Sequence, residues 1–323
     1  MNNHAFVSIV ITSYNHGRFL RDAIDSTLSQ TYSYTETIVV DDGSTDNSQE
    51  IIASYGDRIV PVVKENGGEA SAFNAGFAAS RGNILCFLDS DDLFLSEKVA
   101  KIVAVFTQHP AIGSCFHTLK ALDETGAGLA LPYMALTGER DFRSGIRKGK
   151  MPFIATAMSG MCFRRPLLQL ICPTPEIKGH AIGEHYIKWV SLALQPTFFL
   201  DEALALQRIH SDNSYTGKAD DVARARNCIV QACWLREQVP EILTPWADRI
   251  FADGLGTYWR SGGIEEEFYD LVRCYLGSLS RFARMRVALR ALCYRLDVEK
   301  LRPSIFSSYS STNYDGATYK CVF

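Results

Sequence analysis

An apolar run that ends in acid constrains this chain more than any other feature: Ile84-Leu85-Cys86-Phe87-Leu88 leads directly into Asp89-Ser90-Asp91-Asp92. The run is too short to cross a bilayer but long enough for one buried strand, so the strand delivers three carboxylates to its own tip. Like charges packed this closely repel one another, and a cation among them offsets the repulsion. Oxygen donors on a short turn suit a hard divalent ion, Mg2+ or Mn2+, of the kind that also holds substrate phosphates. Taken alone, the same turn also reads as a solvated acidic loop in which Asp91 or Asp92 caps the next helix.

The residues around this run alternate short β-rich segments with helical patterns, as a parallel sheet covered by helices requires. Residues 7–12, 36–40 and 59–63 read as strands. Between the first two, Leu20, Ile24 and Leu28 share one face of a helix over 19–29. Asp46 and Gln49 have the spacing of a capping box for a helix over 48–55. A turn at Asn66-Gly67-Gly68 precedes a small-residue helix over 70–79, and Leu95, Val99, Ile102, Val103 and Phe106 mark another that Pro110 stops. From 112 to 164 the pattern is irregular, with strands expected at 112–119 and 155–163, and this region suits acceptor binding. Residues 184–194 read as a helix, and 198–200 and 203–209 as two strands. Helical signals dominate beyond Gly217, which sets expected domains of 1–217 and 218–323, and the Ser/Thr/Tyr-rich stretch 304–323 reads as a loose tail.

At 323 residues with 47% apolar content, the chain is long enough for one large domain plus an appendage. A net charge of -3 supplies no global basic field, which argues against nucleic acid as the partner. Nine cysteines without CxxC pairs read as reduced core residues of a cytoplasmic protein. Residues 1–6 lead straight into a strand, and no apolar run reaches transmembrane length, so a soluble or peripheral protein is expected.

Three polar clusters end successive strands: Thr12-Ser13-Tyr14-Asn15, Asp41 to Asp46, and Asp89 to Asp92. Open α/β sheets bind ligands at that edge. With its Val-Val-Asp-Asp-Gly-Ser-Thr-Asp and Phe-Leu-Asp-Ser-Asp-Asp stretches, the segment from Val7 to Asp92 resembles the nucleotide-sugar-binding half of family 2 glycosyltransferases. These are inverting enzymes of the GT-A fold. The resemblance continues more weakly through Ser159 to Arg165 and 199–202 to Arg208-Ile209-His210. It implies an open, mostly parallel GT-A sheet flanked by helices, followed here by a C-terminal helical appendage.

Carried over residue by residue, the resemblance places Thr12 and Tyr14 beside the base and ribose, with the Tyr14 ring as a stacking face. Asp42 accepts from the base edge, for which a uracil N3-H is the natural donor. Asp89 and Ser90 belong to the donor-binding set, Asp89 facing the ribose; Asp91 faces the metal, with Asp89 and His210 as further candidate ligands. Asp91 thereby also takes part in catalysis. Arg208 belongs to a loop that closes over the diphosphate. Core aromatic, turn residue and structural histidine are the alternative readings of Tyr14, Asp42 and His210.

Inversion needs a base opposite the leaving group. Many relatives carry an Asp 17 positions before a Leu-Asp-Glu-like segment, and counting 17 back from Asp201 reaches Glu184. Glu184 also reads as an ordinary first-turn carboxylate, and His185 is the reserve base. A second departure is Phe73, where many relatives have an Arg; phosphate neutralisation then falls on the metal or on Arg81. Lys98, Lys101 and His117 read as solvated or structural.

The resemblance therefore implies a metal-dependent inverting transferase, with Mn2+ or Mg2+, that moves a sugar from a UDP-sugar to a hydroxyl of a carbohydrate or lipid-linked acceptor in surface polysaccharide biosynthesis. A nucleotidyltransferase and a non-catalytic nucleotide-sugar-binding subunit are the competing readings. At 281–296, Phe282, Met285, Leu289, Leu292 and Leu296 form an apolar stripe among five arginines. Such a helix suits either an anionic membrane surface, on the inner face of the membrane, or docking on the protein's own body.

Overall fold

The computed structural model describes residues 5–123, 126–129, 136–152, 154–176, 183–211 and 221–296. These fall into two compact units, one of 5–144 with 151–211 and one of 145–150 with 221–296. The boundary expected at Gly217 and the tail expected at 304–323 lie outside the described residues.

The first unit is built on β1 (Val7–Ser13), β2 (Thr35–Asp41), β3 (Val60–Val63) and β4 (Ile84–Asp89), all parallel. It also contains β5 (Leu93–Phe94), β6 (Ser114–Asp123), β7 (Gly128–Leu129), β8 (Gly138–Arg140), β9 (Met161–Arg164) and β10 (Thr197–Ile209). The sheet order is β3-β2-β1-β4-β9-β6-β10-β5, with β7 on β6 and β8 on β10. Only β9, β5, β7 and β8 run against their neighbours. This is the expected mixed, mostly parallel α/β architecture of a GT-A sheet flanked by helices.

The helices are α1 (Gly17–Leu28), α2 (Ser48–Ala53), α3 (Glu69–Ala79), α4 (Lys98–Gln108), α5 (Arg143–Ile146), α6 (Arg165–Ile171) and α7 (Gly183–Leu194). They explain why β1 is buried at nearly every position. Ile9 and Ile11 share a core cluster with Leu20 and Ile24 of α1. Val10 points the other way, where a side-chain carbon on Gly76 of α3 would lie 2.3 Å from its Cγ1. Only a glycine lets that helix lie so close to the sheet. A strand covered on both faces carries its polar residues at its end.

Several expectations change. The strands expected at 198–200 and 203–209 are one strand, β10, interrupted by a bulge between Leu200 and Ala205. The capping box does not form: Asp46 accepts from the amide and hydroxyl of Ser48 (2.9 and 2.5 Å) and from Gly17 N (2.8 Å), while Gln49 Nε2 reaches Asp41. Asp46 thus ties the starts of two helices together. Lys98 is fully buried rather than solvated, donating to Ser159 O at 2.7 Å with its ammonium over the Phe94 ring.

The second unit contains α8 (Asp221–Gln238), α9 (Pro240–Arg260), α10 (Tyr269–Ser278) and α11 (Arg281–Arg295). Buried Asp248 of α9 ties all four helices together, accepting from Arg236 of α8, Tyr275 of α10 and Arg286 of α11. α11 packs on α9 through Val287 and Ala291, and a side-chain carbon on Gly256 would lie 2.3 Å from Ala291 O. Among the described residues, no helix is long and apolar enough to cross a membrane.

Candidate active site

Parallel register brings the polar strand ends of β1, β2 and β4 to one edge, with Thr12 beside Asp89 and Ser13 beside Asp41. The loops beyond these ends are cross-braced. Asn15 adopts φ 55°, its amide donates to Ser44 Oγ (2.8 Å), and its side-chain oxygen accepts from Thr45 N (2.7 Å). Gly43, at φ 77°, packs where a side-chain carbon would lie 2.6 Å from Asn66 N.

Asp42 is buried, and its carboxylate accepts from Lys64 Nζ (2.6 Å), Gly67 N (3.0 Å) and Gly68 N (2.7 Å). It therefore fastens the glycine turn, and of the roughly four acceptor positions on a carboxylate one is left. Tyr14 projects from the end of β1 with 48% of its surface exposed, which makes it no core aromatic.

The carboxylates at the tip of β4 are mutually strained. Burial, with the charges of Asp92, Asp91, Glu184 and Glu69, pushes Asp89 well above the usual carboxylate range. Burial and the adjacent Asp91 push Asp92 up to about 8. Asp92 Oδ1 accepts from Arg208 N (3.0 Å), while its buried Oδ2 has no hydrogen-bond partner. The Ser159 hydroxyl lies 3.0 Å from the Asp89 amide, and Ser90 Oγ lies 3.0 Å from His16 Nδ1.

Asp91 and His210 come together as the sequence suggested, with Oδ2 and Nε2 3.0 Å apart, and His16 joins them. One donor atom from each of these three residues lies within 4.8 Å of the other two. Asp89 is outside that set. Arg18 Nη2 is 3.3 Å from His210 Nδ1. A guanidinium only donates, so in this arrangement Nδ1 accepts and Nε2 carries the hydrogen shared with Asp91. His16 and Arg18 escaped the sequence reading because nothing in Asn15-His16-Gly17-Arg18 marks more than a turn; only the fold brings them to β10.

Glu184 begins α7, and its carboxylate pairs with Lys188 Nζ at 2.8 Å. Burial pushes it up, but Lys188 and His185 outweigh this and hold it below the usual range. Its backbone amide donates to Glu69 Oε1 (3.0 Å), a residue with no expected role. Burial and the nearby Glu184 charge raise Glu69 to about 7.

Arg208 and Arg81 stand differently from expectation. Arg208 Nη2 pairs with Asp22 (2.6 Å) and its guanidinium lies over Phe19. Arg81 does not reach the acidic edge: it forks onto Glu36 (2.8 and 3.0 Å) beside Ser8, where β1, β2 and β4 begin. A strand of six residues separates the two ends by about 17 Å. Phe73 is buried and stacked on Phe87, centroids 4.3 Å apart.

The model for "Glycosyl transferase family 2" matches residues 8–168. An uncharacterized glycosyltransferase of Nostoc sp. (strain PCC 7120) is 34% identical over 220 residues, 66% of this chain and 67% of that protein. The chain belongs to glycosyltransferase family 2. It is thus a glycosyltransferase enzyme, and the nucleotidyltransferase and binding-subunit readings fall away. Another relative, an uncharacterized glycosyltransferase of Rickettsia prowazekii, is 46% identical over 93 residues, 29% of each chain. Among solved structures, S. aureus TarS 1–349 in complex with UDP-GlcNAc superposes with a TM-score of 0.61 at 19% identity, covering 90% of this chain and 88% of that one. The mannosyltransferase PcManGT from Pyrobaculum calidifontis, in complex with GDP-Man and Mn2+, gives 0.52 at 18% identity over 93% and 88%. Both share the GT-A fold of this family 2 chain.

Proposed function

We propose that this family 2 enzyme is a metal-dependent inverting transferase that takes a sugar from a nucleoside diphosphate, UDP above all, to a hydroxyl of a carbohydrate or lipid-linked acceptor in surface polysaccharide assembly. The observation that carries this reading is the convergence of His16, Asp91 and His210 on the sheet edge where Asp89, Glu69 and Glu184 also gather. The fold neighbours bound to UDP-GlcNAc and to GDP-Man with Mn2+ support the same class of donor and cofactor.

The donor set fits a divalent ion on two observations: three ligand atoms within 4.8 Å of one another, and a buried Asp92 oxygen without a partner among crowded carboxylates. Asp91, His210 and His16 would hold the ion. When bound, it would act as a Lewis acid that offsets charge on the departing diphosphate. The two imidazoles favour Mn2+ over Mg2+, which prefers oxygen donors.

The chain's own residues supply the rest. Tyr14 offers its exposed ring to the base, and Asp42 has one acceptor position left for a uracil N3-H. Thr12, Asp89 and Ser90 line the ribose side. Arg208 turns from Asp22 to the diphosphate. Glu184 is ionised by virtue of Lys188 and takes the proton of the acceptor hydroxyl at its carboxylate oxygen. The peripheral membrane contact is assigned to α11. The reading is tested by turnover of UDP-sugars with Mn2+ and by the anomeric configuration of the product: retention, or full turnover in excess chelator, overturns it.

A further inference from the structure

Five large apolar residues of α11 and its C-cap, Phe282, Met285, Leu289, Leu292 and Leu296, are 43–69% exposed. At 100° per residue they fall on one stripe whose mean direction lies about 160° from that of Val287 and Ala291, the buried side of the helix. The stripe therefore points away from α9, the helix of its own unit on which α11 packs. Arg281, Arg284 and Arg295 flank it on one side and Arg286 and Arg290 on the other, and no acidic residue occurs in the helix.

We infer that α11 is a lipid-facing helix that lays this stripe into the headgroup boundary of an anionic bilayer, its arginines on the phosphates at either side. This rests on the peripheral placement proposed above and names its partner. Charge complementarity decides between occupants. A second copy would meet the stripe with its own a/d-type positions, and Arg281 and Arg295 would then occupy flanking positions of both helices with no carboxylate on either helix to pair. Two heptads are also short of the three or four that a coiled coil ordinarily sustains. An anionic membrane answers both features at once, burying the apolar side chains and neutralising the cations. Arg286 also pairs with Asp248 of α9, so the helix is held by its inner side while its outer side stays free.

The full chain should float with vesicles containing phosphatidylglycerol at least about tenfold more than with phosphatidylcholine alone, and should be released by ~0.5 M salt. Leu289→Asp and the triple change Arg281→Gln, Arg284→Gln, Arg290→Gln should each abolish flotation, with circular dichroism unchanged. Equal flotation on neutral vesicles, flotation that survives both variants, or no flotation of the parent overturns the inference. So does a concentration-dependent dimer, abolished by Leu289→Asp, without vesicle binding. UDP affinity of the same samples tests the donor reading separately.

Discussion

His210 Nε2 lies 3.0 Å from Asp91 Oδ2, joining residues 119 positions apart in the chain. With His16 beside them, this contact would make the proposed ion binding depend on three segments. Asp91→Asn, His210→Ala and His16→Ala should each weaken Mn2+ binding by more than about tenfold, the low end of what even an outer-sphere change costs. Titration calorimetry with Mn2+ in the presence of UDP is the measurement. Unchanged affinity in all three variants would place the ion elsewhere.

Glu184 carries the proton in the proposed transfer. Glu184→Gln keeps its shape and removes its basicity, so transfer should fall about a hundredfold or more while UDP-sugar affinity barely changes. Single-turnover assays separate the two effects. Near-normal transfer would move the role to Glu69 or His185.

Asp42 holds the glycine turn and is the proposed partner of the base. Asp42→Ala should narrow the preference for UDP over ADP by roughly 1–3 kcal/mol, the cost of an unpaired buried group. Because Gly67 N, Gly68 N and Lys64 lose their acceptor as well, the melting temperature should also fall. Equal calorimetric affinities of the parent for UDP and ADP would refute the base contact.

Glu69 makes stability pH-dependent with a defined sign. Below about pH 3.5 it is neutral in both states; as pH rises toward about 7 the unfolded chain ionises first, so the folded state loses ground. Glu69→Gln still accepts from Glu184 N and escapes that loss. The variant should gain on the parent between about pH 4.5 and 7 by no more than about 3 kcal/mol, and the gain should level off above. Denaturant titrations across that range check it, and a constant offset would contradict the assignment.

Phe73 occupies the place of an arginine found in relatives, yet it sits in the core. Phe73→Arg should not strengthen donor binding. It should destabilise the fold by about 3 kcal/mol or more, since it breaks the stack on Phe87 and buries an unpaired charge. Thermal melts beside UDP titrations decide; a stable variant with tighter UDP binding would show the arginine role was recoverable.

The parallel half of the sheet was legible because β1, β2 and β4 are covered on both faces, which forces continuous apolar runs and leaves chemistry only at their ends. Asp89 and Asp91 were legible because carboxylates at a strand end stand out against such a run, whereas Glu184 and His210 were named through the family resemblance, and the roles of all four are proposed. His16 and Lys64 were not, since their partners, on β10 and in the loop after β2, are distant in sequence. Arg81 misled for a related reason: closeness to a strand in sequence does not say which of its ends a side chain serves. Lys98 was misjudged because a lysine stem beside Val99 packs like an aliphatic residue, with its ammonium met by Ser159 O.

β10 supplies Arg208 and, one residue beyond its end, His210, and it also binds β6 and β5 to complete the sheet. Residues 8–168, the part matched by the family model, contain Thr12, Asp42, Asp89 and Asp91 but neither Glu184 nor His210. A ribosome releases those first residues earlier, and domains generally fold as their chain emerges. In the proposed reading, the first half would therefore emerge before Glu184 of α7, the proposed base, and before His210, the last proposed imidazole ligand. A chain that stops short of β10 would lack both the strand that joins β6 to β5 and that imidazole, so it would be expected to turn over no nucleotide sugar.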